Sequence, residues 1–222
     1  MKWHRVAALA GAVALLGLSG CIPDEDIAVS RAAKPVIYLY PAEETAVTLA
    51  LTLDGELTCA YPALEEETWT VTARPDGTLT DAKGREYPYL FWEGNLEAEW
   101  DFSSGFVVEG SRTVDFLEEK LAYLGLTDLA AADFITYWLP RMEGNPYNLI
   151  AFQQEIYTDA AELSITPAPD TLLRVFMAYK PLTEAIDVPE QQLEAAAPRA
   201  GFTVVEWGGC ALVEGGYSQD EN

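Results

Sequence analysis

Histidine is all but missing from this chain, and its absence excludes a great deal of chemistry. The single one, His4, stands ahead of an apolar run at the very start. Without imidazole in the rest of the chain, Ser-His-Asp and Cys-His hydrolysis, histidine-ligated zinc and histidine acid–base catalysis all fall away. Basic residues are scarce as well: 13 Lys and Arg face 36 Asp and Glu, a formal net charge of −23. A polyanion of this size repels phosphate backbones and anionic headgroups, which argues against nucleic acid as a partner and against membrane contact through basic patches. The acids are scattered rather than set at ligand spacing, so they read as a solvated surface, and neither a metal nor another cofactor is expected. Long hydrophobic runs are absent too. The stretch 6–18 is apolar over 13 residues, short of the roughly 20 that a membrane-spanning helix needs. Walker loops, G-x-S-x-G elbows, dinucleotide fingerprints, C-x-x-C pairs and EF-hand loops are all lacking.

What is present begins with an address. Lys2 and Arg5 precede the apolar run, and Leu18-Ser19-Gly20-Cys21 follows it. That is the layout of a secretory signal over 1–20. Its last four positions resemble the lipobox of bacterial lipoproteins, which implies that Cys21 becomes the first mature residue and carries a thioether diacylglycerol, with an amide-linked third chain in some hosts. Each buried methylene contributes about 0.8 kcal/mol, so two or more acyl chains give stable anchoring where one is marginal. The partner implied is the membrane, through lipid at Cys21, and the location is extracytoplasmic. In a host with two membranes, Ile22 after the cysteine leans toward the outer one. Removal of 1–20 leaves 11 basic residues (13 less Lys2 and Arg5) against 36 acidic ones, a mature charge of −25.

Half of the residues are hydrophobic and 11% are aromatic, a globular composition despite the charge. Two cysteines remain, Cys59 and Cys210, in a compartment where disulfides persist. A bridge between them is the simplest reading, and two buried free thiols are the other.

Segment 21–33 has little apolar periodicity and reads as a tether. Strand patterns then follow at 36–40, 46–53, 56–61, 68–73, 86–92 and 105–109, punctuated by turn dipeptides such as Asp54-Gly55 and Asp76-Gly77. The period changes after that. Val114, Leu117, Leu121 and Leu124 share a helical face, with Thr113 as cap and Gly125 as stop. Thr127 can cap a second helix whose stripe is Phe134, Ile135, Trp138 and Leu139, ended by Pro140 and Gly144. Strands return at 149–152, 162–166 and 172–179, then a weak helix at 191–197 and a last strand at 202–207. The expectation is one α+β domain over 34–214, an antiparallel, sandwich-like sheet with a helical insert at 111–143, followed by a frayed tail at 215–222.

Lys34-Pro35-Val36-Ile37-Tyr38-Leu39-Tyr40-Pro41 resembles the opening octapeptide of a family of secreted or surface-anchored bacterial and fungal proteins. Arg74-Pro75-Asp76-Gly77-Thr78-Leu79, Tyr89-Leu90-Phe91-Trp92-Glu93 and Gly201-Phe202-Thr203-Val204-Val205-Glu206-Trp207-Gly208-Gly209 are similar to that family as well. The resemblance implies a single extracytoplasmic domain over 34–209 and assigns no catalytic or binding residue.

Carboxylate chemistry is what the exclusions leave. Glu93 and Glu206 each adjoin a tryptophan near a strand end, and facing one cleft they could act as acid and base on a glycosidic bond. Each could equally be a surface charge or the partner of an arginine. Asp101 is a third carboxylate that could instead cap a turn. Tyr87, Tyr89 and Phe91 alternate along one strand pattern. With Trp207 they make either an aromatic binding platform or ordinary core. Asn145-Pro146-Tyr147-Asn148 either lines a groove or turns the chain. The functional expectation is a lipid-anchored envelope protein with a non-catalytic binding domain for a glycan or peptide. A carboxylate-dependent glycan hydrolase and a structural envelope protein are the alternatives.

Overall fold

The computed structural model describes residues 29–212. The signal segment, Cys21, most of the expected tether and the tail at 215–222 lie outside the described residues. In chain order the described part runs through β1 (Val29–Tyr40), β2 (Thr45–Leu53), β3 (Gly55–Tyr61), β4 (Thr68–Ala73), β5 (Leu79–Thr80), β6 (Glu86–Tyr87), β7 (Leu90–Glu97) and β8 (Phe106–Glu109). Helices α1 (Thr113–Tyr123) and α2 (Asp128–Met142) follow, then β9 (Tyr147–Phe152), α3 (Gln154–Ala160), β10 (Ala161–Thr166), β11 (Thr171–Leu182) and β12 (Thr203–Ala211).

The strands make two sheets, ordered β3-β7-β1-β12-β11-β9-β8 and β10-β2-β4-β5-β6. Every pairing between strands is antiparallel except that of β11 with β12, which is parallel. The fold is α+β: a sheet sandwich carrying a helical insert. Alternation along the strands sets three layers. Between the sheets pack Ile37, Leu39, Trp92, Phe176 and Val204 of the larger sheet against Val47, Leu49, Trp69 and Leu79 of the smaller. On the other face of the larger sheet, Val36, Val175, Met177, Val205 and Trp207 meet Leu117, Leu121, Phe134 and Trp138 of α1 and α2. Strand β12 is therefore covered on both sides and is buried from Thr203 to Cys210, as central strands of multilayer folds are.

The helical insert forms where the periodicity places it, and Thr127 caps α2 by accepting from the Ala130 N–H at 3.3 Å. Other details differ. Thr113 is not a cap but the first helical residue, buried and accepting from the Asn148 amide at 3.4 Å. Pro140 does not end α2, which continues to Met142. Its missing N–H frees the carbonyl of Thr136, an exposed residue, where water can serve as partner. The expected strand 86–92 is broken at Pro88, which cannot donate to a ladder, so β6 and β7 belong to different sheets. No helix forms at 191–197. That stretch lies between Pro189 and Pro198, and the Gln191 amide takes the place of a strand neighbour, accepting from the Phe152 N–H at 2.9 Å and donating to its carbonyl at 2.7 Å. β1 already pairs with β7 from Val29, ahead of Lys34 where folding was expected to begin.

Candidate functional site

The octapeptide that begins at Lys34 contains a defect in its own strand. Ala33 pairs with Gly209 and Val36 with Trp207, three steps along β1 against two along β12, so one residue is extra. Lys34 takes up this bulge at φ 59°, a left-handed conformation that lysine rarely adopts. Bulges re-aim side chains, often beside functional sites. Pro35 is accommodated because residue 208 is glycine: a Cβ there would lie 2.9 Å from the proline ring.

The bulge is fastened by the Lys34 N–H, which donates to Glu93 Oε1 at 3.2 Å, while Arg31 pairs with the other carboxylate oxygen. The Lys34 ammonium donates to the Tyr89 hydroxyl at 3.4 Å and lies 5.2 and 5.4 Å from the ring centroids of Tyr89 and Phe91. Half-buried, it forms no ion pair among the described residues. In so acidic a chain that is unexpected.

Lys34 and Tyr89 form one wall of a pocket of about 250 Å³ whose other lining residues are Asp133, Thr136 and Tyr137 of α2 and Trp207 of β12. Asp133 Oδ2 accepts from the Tyr38 hydroxyl at 2.8 Å. Burial raises the pKa of Tyr38 far above its ordinary value, and the bond to Asp133 raises it further, so this hydroxyl remains a donor. Trp207 is fully buried, and its indole N–H has no partner in hydrogen-bonding geometry. It lies near enough to the Tyr38 hydroxyl to oppose the raised pKa without completing a bond. The pocket thus offers a cation, a carboxylate, hydroxyls and aromatic rings, equipment for recognition, while the Trp207 N–H itself is closed off from it. Larger grooves of about 340 and 440 Å³ run along β8 and α1. There Lys120 is already paired with Glu119, and among the described residues no unpartnered buried side-chain atom belongs to their lining.

The two glutamates do not share a cleft. Glu206 lies between the sheets, fully buried, accepting from Arg174 Nε at 2.5 Å and from the Trp92 indole at 3.1 Å. Glu93 follows Trp92 in β7 and so points to the opposite face of the sheet. Backbone alternation separates the pair as no rotamer change can undo. Asp101 caps a turn, accepting from the Ser103 N–H at 2.7 Å, which holds its carboxyl below the usual pKa.

Nor do the four aromatic residues form one strip. Tyr87 packs in the core between the sheets with its hydroxyl on Asp81 at 2.9 Å, whereas Tyr89 and Phe91 are half-buried beside Lys34 and Trp207 is the pocket floor. Asn145 and Asn148 turn the chain: Asn148 is buried and donates to the Met142 carbonyl at 3.0 Å. Among the described residues no group of three or more Cys, His, Asp or Glu could hold a metal ion, and no helix is long and apolar enough to cross a membrane.

Cys59 and Cys210 are not bridged; both are free thiols, one exposed and one buried. The sheet order puts β7 and β1 between their strands, a separation of about 14 Å at ~4.8 Å per strand, twice what a disulfide spans. Burial also pushes the Cys210 thiol far above its ordinary pKa. Cys59 is therefore expected to react with a thiol reagent in the native protein, while Cys210 reacts only after denaturation. Mass spectrometry after native alkylation checks this, and one label rather than none at Cys59 is the required result.

Over 97 residues the chain is 41% identical to the "Uncharacterized protein in bglA 3'region" of Butyrivibrio fibrisolvens, a match covering 43% of this chain and 100% of that protein. The chain belongs to that protein's family. No family model and no solved structure matches it. That protein's name records a gene position and no activity, so function has to be argued from the pocket.

Sequence reasoning singled out Trp207, Tyr89 and Phe91 but missed Lys34, Asp133, Thr136 and Tyr137. A signal for Lys34 existed: Lys-Pro inside an apolar strand pattern marks a bulge or an edge. For the α2 residues there was none, since they lie on the polar side of an amphipathic stripe that any solvent-facing helix would show.

Proposed function

We propose that this protein is a lipid-anchored envelope lipoprotein whose domain is a non-catalytic binding module, with the pocket between the Lys34 bulge and α2 as its ligand site. The observation that carries the reading is a pocket wall bearing Lys34, a half-buried cation that has no ion pair among the described residues of a strongly acidic chain. The left-handed lysine adds strain of order 1–3 kcal/mol, and such strain concentrates at ligand-binding positions.

The anchoring half rests on the lipobox-like Leu18-Ser19-Gly20-Cys21. Cys21→Ser is expected to abolish metabolic labelling by fatty-acid probes and to leave the chain unprocessed or released from membranes. Unchanged labelling would refute the attachment point. For the binding half, a glycan and peptide array probed with the wild-type chain and with Lys34→Met should show a signal in the first that is lost in the second. Equal signals would place binding elsewhere.

A further inference from the structure

The chemistry of the pocket's walls narrows its ligand, and the argument rests on the pocket being a binding site at all. Two charges face the same small space: the Lys34 ammonium on the bulge and the Asp133 carboxylate on α2. One oxygen of Asp133 is taken by Tyr38, and among the described residues no side chain occupies the other. A doubly charged anion such as phosphate would gain from Lys34 but be repelled by Asp133, within a chain already carrying a net charge of −23. A single negative charge set against Lys34, with hydrogen-bond donors on the far side for Asp133, satisfies both groups.

The remaining polar groups point the same way. Tyr89 contributes a hydroxyl that accepts from Lys34 and can donate, and Thr136 one that donates to the Asp133 carbonyl and can accept. Together with Lys34 and Asp133 these are four polar groups distributed around one space, more than the two ends of an amino acid can engage. A ring carrying several hydroxyls and one carboxylate engages them all. Its apolar C–H face would lie against the aromatic wall that Tyr89 and Tyr137 give the pocket. The volume of about 250 Å³ equals roughly eight waters at ~30 Å³ each, room for one such ring.

We propose that this pocket binds a single carboxylated sugar ring of the uronic acid class, its carboxylate on Lys34, a ring oxygen or hydroxyl accepting from the Tyr89 hydroxyl, and a hydroxyl donating to Asp133. Neutral sugars lack the charge that pairs with Lys34, and amino acids lack the hydroxyl array.

The test uses the full chain, expressed with its own leader and purified in detergent, titrated with D-glucuronate and D-galacturonate, and with D-glucose, alanine and inorganic phosphate as controls. Calorimetry supplies the affinity, and the Trp207 indole N–H resonance reports occupancy of the pocket floor. At least one uronate should bind and shift that resonance, with glucose, alanine and phosphate at least tenfold weaker. Lys34→Met and Asp133→Asn, both at positions outside the core, should each weaken uronate binding at least tenfold without changing the circular dichroism spectrum. Glucose or alanine binding as well as the uronates would overturn the assignment, as would uronate binding that Lys34→Met leaves intact. If neither uronate binds but an array ligand does so in a Lys34-dependent way, the binding module stands and the sugar-acid class falls. If nothing binds in either experiment, both fall.

Discussion

Glu206→Ala is expected to destabilise the domain by about 3–5 kcal/mol, because it leaves the Arg174 guanidinium charged and unpaired between two sheets. Arg174 and Glu206 are adjacent across the parallel β11–β12 pair, and their side chains are 6% and 0% exposed. Few other groups could take over. Arg174 Nη2 already lacks a partner, and the Tyr157 hydroxyl, close to the pair, is not in bonding geometry with either member. The guanidinium lies over the Tyr157 ring at 4.6 Å from its centroid, and Trp92 donates its indole hydrogen to the carboxylate. Removing the acid therefore orphans two donors at once. Urea unfolding monitored by tryptophan fluorescence measures the loss. Replacing both members together, as Arg174→Met with Glu206→Met, should recover much of it, since buried ion pairs often give little net stability over apolar substitutes. A Glu206→Ala cost below about 1 kcal/mol would show that water reaches the site.

Trp138→Ala should cost about 3–5 kcal/mol through lost packing and the cavity left behind. Trp138 is fully buried between α2 and the larger sheet, 6.1 Å from the Phe134 ring centroid and 6.0 Å from that of Tyr179. Its indole N–H has no partner, so no hydrogen bond is lost and the whole effect is apolar. The sheet is shaped to receive it. A Cβ on Gly209 would lie 2.7 Å from the Trp138 ring and 2.5 Å from the Met177 carbonyl oxygen, so only glycine permits this close approach. Differential scanning calorimetry of the variant would read the loss as a lower Tm. An unchanged Tm would mean that α2 does not depend on this contact.

Both predictions concern residues that the sequence marks as apolar-periodic or strand-borne without revealing their neighbours. Periodicity located α1 and α2 and most strands to within a few residues, since amphipathic faces are written locally. It failed where the governing interaction was remote. Nothing near Gln191 indicates that its amide will serve the backbone of Phe152, so a helix was expected there. Tyr87 and Phe91 look like one alternating strip because the eye continues across Pro88, whereas the chain changes sheets at that point. Glu93 and Glu206 are alike in sequence, each beside a tryptophan, yet alternation in β7 and β12 sends them to opposite faces.

Composition and local pattern alone determined the acidic, nearly histidine-free chemistry, the lipobox-like stretch at Cys21, the α+β class and the position of the helical insert. These depend on residue identity and on spacings of two to four residues, which the chain carries wherever it is folded. Tertiary structure alone decided that Cys59 and Cys210 stay apart, that Glu206 is an arginine's partner in the core, and that Lys34, Asp133 and Trp207 enclose one pocket. Those outcomes turn on strand order and on a single extra residue in β1. One such residue reverses which face every later side chain in the strand occupies, and strand order is set by the burial of all the strands together, so no local window contains it.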